Sequence, residues 1–193
     1  MLSSITPLGE RSRSQHFWIT TPFLAVAAAT AGAGVGGLLG AAGAVLPLTG
    51  EERLLVLAAL AAIGLAADLL IPGGIPTHLR QVDESWLRRY RGWVYGTGYG
   101  IQFGLAVATV VTTSTVYLTL LGEALAPTIA AGAVVGAVFG GIRGGSVLLA
   151  AKVDSPASLF AFHRRFSTLE RPAVVLALLL QVTLISAAVA ASV

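Results

Sequence analysis

Long apolar stretches separated by short polar ones run the length of this chain, at about 17–48, 54–71, 95–121, 128–151 and 172–193. Several are long enough for the roughly 20 helical residues that cross a hydrocarbon layer about 30 Å thick. The pattern predicts an all-α fold: a polytopic membrane bundle of five transmembrane helices in one domain over 1–193. The first run is too long for one upright span. It reads as a tilted helix, as a span broken within its glycine-rich half, or as a signal peptide. In the last case Arg11 and Arg13 form the charged region and Ala27–Ala29 lie near the cleavage site. Apolar sequence continues well past that point, which favours a retained span.

The polar intervals carry their own patterns. Residues 1–16 read as a short cytoplasmic tail. In Thr49-Gly50-Glu51-Glu52-Arg53, Thr49 or Gly50 can cap the second span, and the two glutamates suit its positive N-terminal end. Over 75–94, Leu79, Val82, Trp86, Tyr90 and Trp93 fall at helical spacing, against Arg80, Glu84, Arg88 and Arg91. This predicts an amphipathic helix in the membrane interface. A second is predicted over 152–171, started by Ser155-Pro156, with Leu159, Phe162, Phe166 and Leu169 on its apolar side.

Composition narrows the class. Only 11% of the 193 residues are charged, against about a quarter in ordinary soluble domains, so no room remains for a separate soluble domain. The net charge of +3 would suit nucleic acid, but the basic residues lie in short loops between apolar runs, where topology demands them. Five spans put Arg11, Arg13, Arg80, Arg88, Arg89, Arg91, Lys152, Arg164, Arg165 and Arg171 on one side and only Arg53 on the other. The positive-inside rule then predicts a multi-pass cell-membrane protein with its N-terminus cytoplasmic and its C-terminus outside. The chain has no cysteine, which excludes disulfides and thiol chemistry of its own.

Two charged residues fall within the predicted spans, Asp68 and Arg143. Asp68 follows Glu52 by sixteen residues and Arg143 follows Pro127 by sixteen, which puts both about 24 Å below the outer surface. Each alone would cost about 2.5–3.5 kcal/mol at the bilayer centre. An ion pair between the second and fourth helices is the expected relief; independent snorkelling to the interface is the plainer alternative. Glycines recur every fourth residue at Gly32, Gly36 and Gly40, at Gly96, Gly100 and Gly104, and at Gly132, Gly136, Gly140 and Gly144. Such stripes let helix backbones approach closely in lipid. They favour packing inside the bundle, and they also suit a contact with a second copy or with a membrane partner protein. Gln102, Thr109, Thr112, Thr113 and Tyr117 make the third span the most polar and are its candidate path-lining residues, although hydroxyls also bond their own helix carbonyls. His16, His78 and His163 lie outside the spans without ligand-like spacing, so neither a metal nor a cofactor is expected, and no nucleophile set suggests an enzyme.

Gly98-Tyr-Gly100-Ile-Gln102-Phe103-Gly104-Leu105, with Thr109 further on, resembles a motif of the cytochrome c biogenesis (CcdA/DsbD-type) membrane proteins of the LysE-like group. The resemblance implies a bundle of inverted three-helix repeats. It also implies lost redox activity, since Val110-Val-Thr-Thr-Ser114 carries neither the Cys nor the Pro of that family. Two functions are expected. One is a small carrier or exporter, with the third helix lining a path and Asp68–Arg143 acting as gate or lock. The other is a non-transporting membrane subunit that packs on a partner through its glycine faces.

Overall fold

The computed structural model describes residues 5–71, 76–77, 85–106, 111 and 113–192, and among these it is helical without a strand. The helices are α1 (Pro7–Ser12), α2 (Phe17–Ala44), α3 (Gly50–Leu70), α4 (Trp86–Arg89), α5 (Gly92–Gly104), α6 (Thr115–Ala124), α7 (Ile129–Gly145), α8 (Pro156–Thr168) and α9 (Glu170–Ala191). Four are long and apolar enough to cross a membrane: α2, α3, α7 with the tight 3-10 turn that extends it to Ala150, and α9. The long first run is one unbroken helix of 28 residues, with Pro22 in its second turn, where it forgoes one backbone bond. The expected third span over 95–121 is not one helix. It is two, α5 and α6.

The centre of the bundle is built from backbone contacts. α2 runs antiparallel to α7, with Gly32 against Gly136, Gly36 against Gly132 and Gly40 against Thr128. A Cβ built at Gly40 would stand 2.7 Å from the Thr128 carbonyl oxygen, and at Gly32 or Gly36 it would collide with the carbonyl opposite. α5 runs parallel to α2 on another face, placing Gly96 beside Thr20, Gly100 beside Leu24 and Gly104 beside Ala28. All ten glycines of the predicted stripes are buried in these two crossings. Without side chains between them, the three helices gain dispersion contact along their whole length.

α3 and α9 form a looser second layer. α3 is antiparallel to α6, with Gly64 beside Ser114 and Leu118, and α9 packs chiefly on α3. The start of α3 follows the expectation: Thr49 Oγ1 accepts from Glu52 N at 3.2 Å, and a Glu52 carboxylate oxygen accepts from Thr49 N at 2.7 Å. α8 forms with Ser155 as its cap and leaves Phe160 and Phe166 exposed. Of the other expected amphipathic helix, α4 and the start of α5 are described; Leu79, Arg80, Val82 and Glu84 lie outside the described residues.

Residues 5–16 are not a loose tail. α1 lies on the end of the bundle where α2 begins, with Leu8 N donating to Val153 O at 2.9 Å. Its Glu10 is fully buried and accepts from Thr20 Oγ1 at 2.6 Å, from Arg13 at 2.6 Å and from Tyr95 Oη. Gly92 N donates to Gln15 Oε1 nearby at 2.8 Å. A polar segment is ordered here because the bundle supplies donors for its one buried carboxylate.

Candidate functional site

The interruption between α5 and α6 is where the chain departs most from a simple bundle. α5 ends beside Ala28 of α2, and the last residue of α6 lies beside Gly43. The two helices therefore follow one another along α2. The gap between them lies about 16 Å from one end of α2 and about 24 Å from the other. Ala106, just past the end of α5, has φ 58°, a left-handed conformation costing an L-residue roughly 1–2 kcal/mol. The sequence that follows, Thr109-Val-Val-Thr-Thr-Ser-Thr115, is β-branched or hydroxylated throughout. Such residues lose rotamers in a helix and bond the backbone in competing ways.

Each end of the gap meets a charge of complementary sign. Arg143 on α7 donates from Nη1 to the Ala106 carbonyl at 3.0 Å, at the C-terminal and therefore negative end of α5. Its guanidinium carbon also stands 5.3 Å from the Phe139 ring centroid. At the other end, Asp68 on α3 accepts from Ser114 N at 3.0 and 3.1 Å and from Ser114 Oγ at 2.7 Å. The carboxylate thus covers the positive N-terminus of α6. Gln181 on α9 completes the cluster: its Nε2 donates to Asp68 Oδ2 at 2.8 Å, Ser114 Oγ at 3.0 Å and Thr115 Oγ1 at 3.1 Å.

This corrects the expected ion pair. Asp68 and Arg143 reach the same interruption, but from opposite ends, and among the described residues no ion pair joins them. α6 packs against both α3 and α7, and each charge finds the exposed backbone end that faces it. The path-lining residues also shift. A cavity of about 410 Å³ opens between α3, α6, α7 and α9, lined by Leu57, Thr115, Thr119, Val135, Gln181 and neighbouring leucines. Tyr117 points elsewhere and donates to the Pro76 carbonyl. Thr113 and Gln102 are half-buried outside that lining, and Thr109 and Thr112 lie outside the described residues. A second cavity of about 770 Å³ shares Leu57, Gly122 and Val135 with the first and reaches Arg53, Pro127 and Ala191. Together they make a groove from the Arg53 end of the bundle to the Gln181 cluster.

Three residues that matter were not singled out by the sequence. Gln181 stood out only as an amide in an apolar run, and its partners come from 66 or more positions away. Glu123 falls in an expected turn, yet it is 1% exposed within α6. Arg53 donates to five carbonyls, those of Gly43, Leu46, Leu48, Leu125 and Ala126, and so joins the end of α2 to the α6–α7 turn. In comparisons with known proteins the chain matches no protein-family model, no curated protein and no solved structure.

Proposed function

We propose that this chain is a small multi-pass membrane carrier whose substrate site is the gap between α5 and α6. In this reading α5 and α6 together make the third of five crossings. The end holding α1, α8 and most of the arginines faces the cytoplasm, and the Arg53 end faces outward. The observation that carries the proposal is the helix interruption between Arg143 and Asp68, with a groove reaching its Gln181 side. Non-helical backbone at membrane depth is tolerated where protein buries it or where it lines a cavity. Interrupted helices of this kind place half-helix ends beside cargo near the bilayer midplane. Asp68 and Arg143 hold the two half-helix ends, and the groove supplies a route from the Arg53 end to the Gln181 cluster.

The subunit reading draws on glycine faces open to a partner. Here those glycines face one another inside the α2–α7 and α2–α5 crossings, which favours the carrier.

Proteoliposomes on a solid-supported membrane, challenged with concentration jumps of amino acids, organic acids and small organic cations, test the reading. At least one class should give a transient current, and Asp68→Asn and Arg143→Gln should each cut it at least tenfold while the protein still purifies as a folded species. Currents unchanged in both variants would remove the gap from the transport path. No current from any class in wild-type protein would count against the carrier itself.

A further inference from the structure

Glu123 is a fully buried acid that nothing in the proposed site uses. It is 1% exposed, and its side chain has no hydrogen bond or ion pair among the described residues. It sits on α6 one turn beyond Thr119, a residue of the groove, and next to Gly122, another. Its carboxyl lies against the α2–α7 crossing: a Cβ built at Gly136 would stand 3.2 Å from Glu123 Oε1. The glycine opposite leaves the room that the carboxyl fills.

The surroundings define what such a group binds. At this level α2 and α7 offer only glycines and apolar side chains, and the charge nearest along α7, Arg143, lies two turns further on at Ala106. On α3, Asp68 is bound to Ser114 and Gln181, and Arg53 is engaged by five carbonyls. An ionised carboxylate without donors or a counter-charge is costly by several kcal/mol, whereas the neutral acid is a modest polar group. A metal ion would need several further ligands, and among the described residues no three His, Cys, Asp or Glu side chains gather to hold one. A proton needs none.

We propose that Glu123 is a proton-binding site, loaded while α6 packs on α7 and released when that contact opens toward the groove. Its protonation in the closed state stands on the geometry above. Its use to couple proton movement to cargo rests on the carrier reading.

Infrared titration of the purified full-length protein reads the proton directly. Wild type should show a protonated-carboxyl C=O band at neutral pH that is absent from Glu123→Gln. The same site makes melting pH-dependent. A carboxyl neutral in the folded state and ionised in the unfolded one stabilises the fold at low pH and loses that contribution as pH rises. Wild type should therefore melt about 3–5 °C lower per pH unit as pH rises from the ordinary carboxylate range toward neutral, and Glu123→Gln should flatten the slope. Absence of the band from wild type, a slope unchanged in Glu123→Gln, or a melting point that follows sodium rather than pH would each overturn the site. A band and slope as expected, but no proton uptake into pyranine-loaded proteoliposomes, would leave the proton site standing and remove the coupling role.

Discussion

Where α2 meets α7 and α5, backbone touches backbone; where α3 meets α6 and α9, side chains reach across space to one another. The first half of the molecule is held by three glycine stripes and leaves no room for a methyl group at any of their ten glycines. The second is held by a polar cluster of Asp68, Ser114 and Gln181 and encloses the groove. Close backbone packing has one tight minimum and resists displacement. A few hydrogen bonds around a cavity can be exchanged for others. In the proposed carrier, α2, α5 and α7 would be the frame and α3, α6 and α9 the part that moves.

The largest effect is expected at the frame. Gly36→Ala adds a Cβ that collides with the Gly132 carbonyl, and backbone cannot rotate away as a side chain would. The helices must separate along several turns, at a cost of about 3 kcal/mol or more. Thermal unfolding in detergent should show a melting point lower by about 6–12 °C, or no folded protein at all. A Gly36→Ala protein that melts like wild type would mean that the α2–α7 crossing is not the frame.

A smaller loss is expected where the two halves join. Arg53, at the head of α3, donates to carbonyls at the end of α2 and in the α6–α7 turn. Arg53→Gln leaves most of these without a donor and should cost about 1–3 kcal/mol. Arg53→Lys should recover only part of that, because one ammonium cannot reach carbonyls on both turns as a planar fork does. Melting points in the order wild type, Lys, Gln would establish Arg53 as the joint. Equal values for Lys and Gln would reduce it to a packing residue.

Much of the frame was legible in the sequence, because a stripe of glycines four apart has one strong physical meaning in an apolar helix. The Thr49–Glu52 cap and the Ser155-Pro156 start were legible for the same reason: each is a local pattern with a local cause. The site was legible in its ingredients and not in its arrangement. Asp68 and Arg143 announced themselves as charges needing partners, but pairing them with each other assumed an unbroken third helix. Once α5 stops at Gly104, free backbone ends become available, and these satisfy each charge. The signal for that break was present in the hydroxylated, β-branched run Thr109–Thr115, which reads equally well as a polar helix face until tertiary contacts decide. Glu123 and Gln181 could not be placed, since their burial depends on helices far away in the sequence.

The smallest effect tests the frame by a change of sign. Gly34 lies two residues before Gly36 on the same helix, exposed, with nothing within 4 Å of where a Cβ would stand. The substitution Gly34→Ala therefore makes no collision and restricts the unfolded backbone, while improving helix propensity by up to about 1 kcal/mol. Its melting point should equal or slightly exceed that of wild type, by about 2–4 °C at most. One methyl group on one helix would then be tolerated on the exposed side and destructive on the side facing α7. Propensity acts alike at both positions, so only the Gly132 carbonyl can account for opposite signs. A matching fall at both positions would instead mean that α2 needs glycine for its own flexibility, and the division into a rigid frame and a movable layer would lose its physical basis.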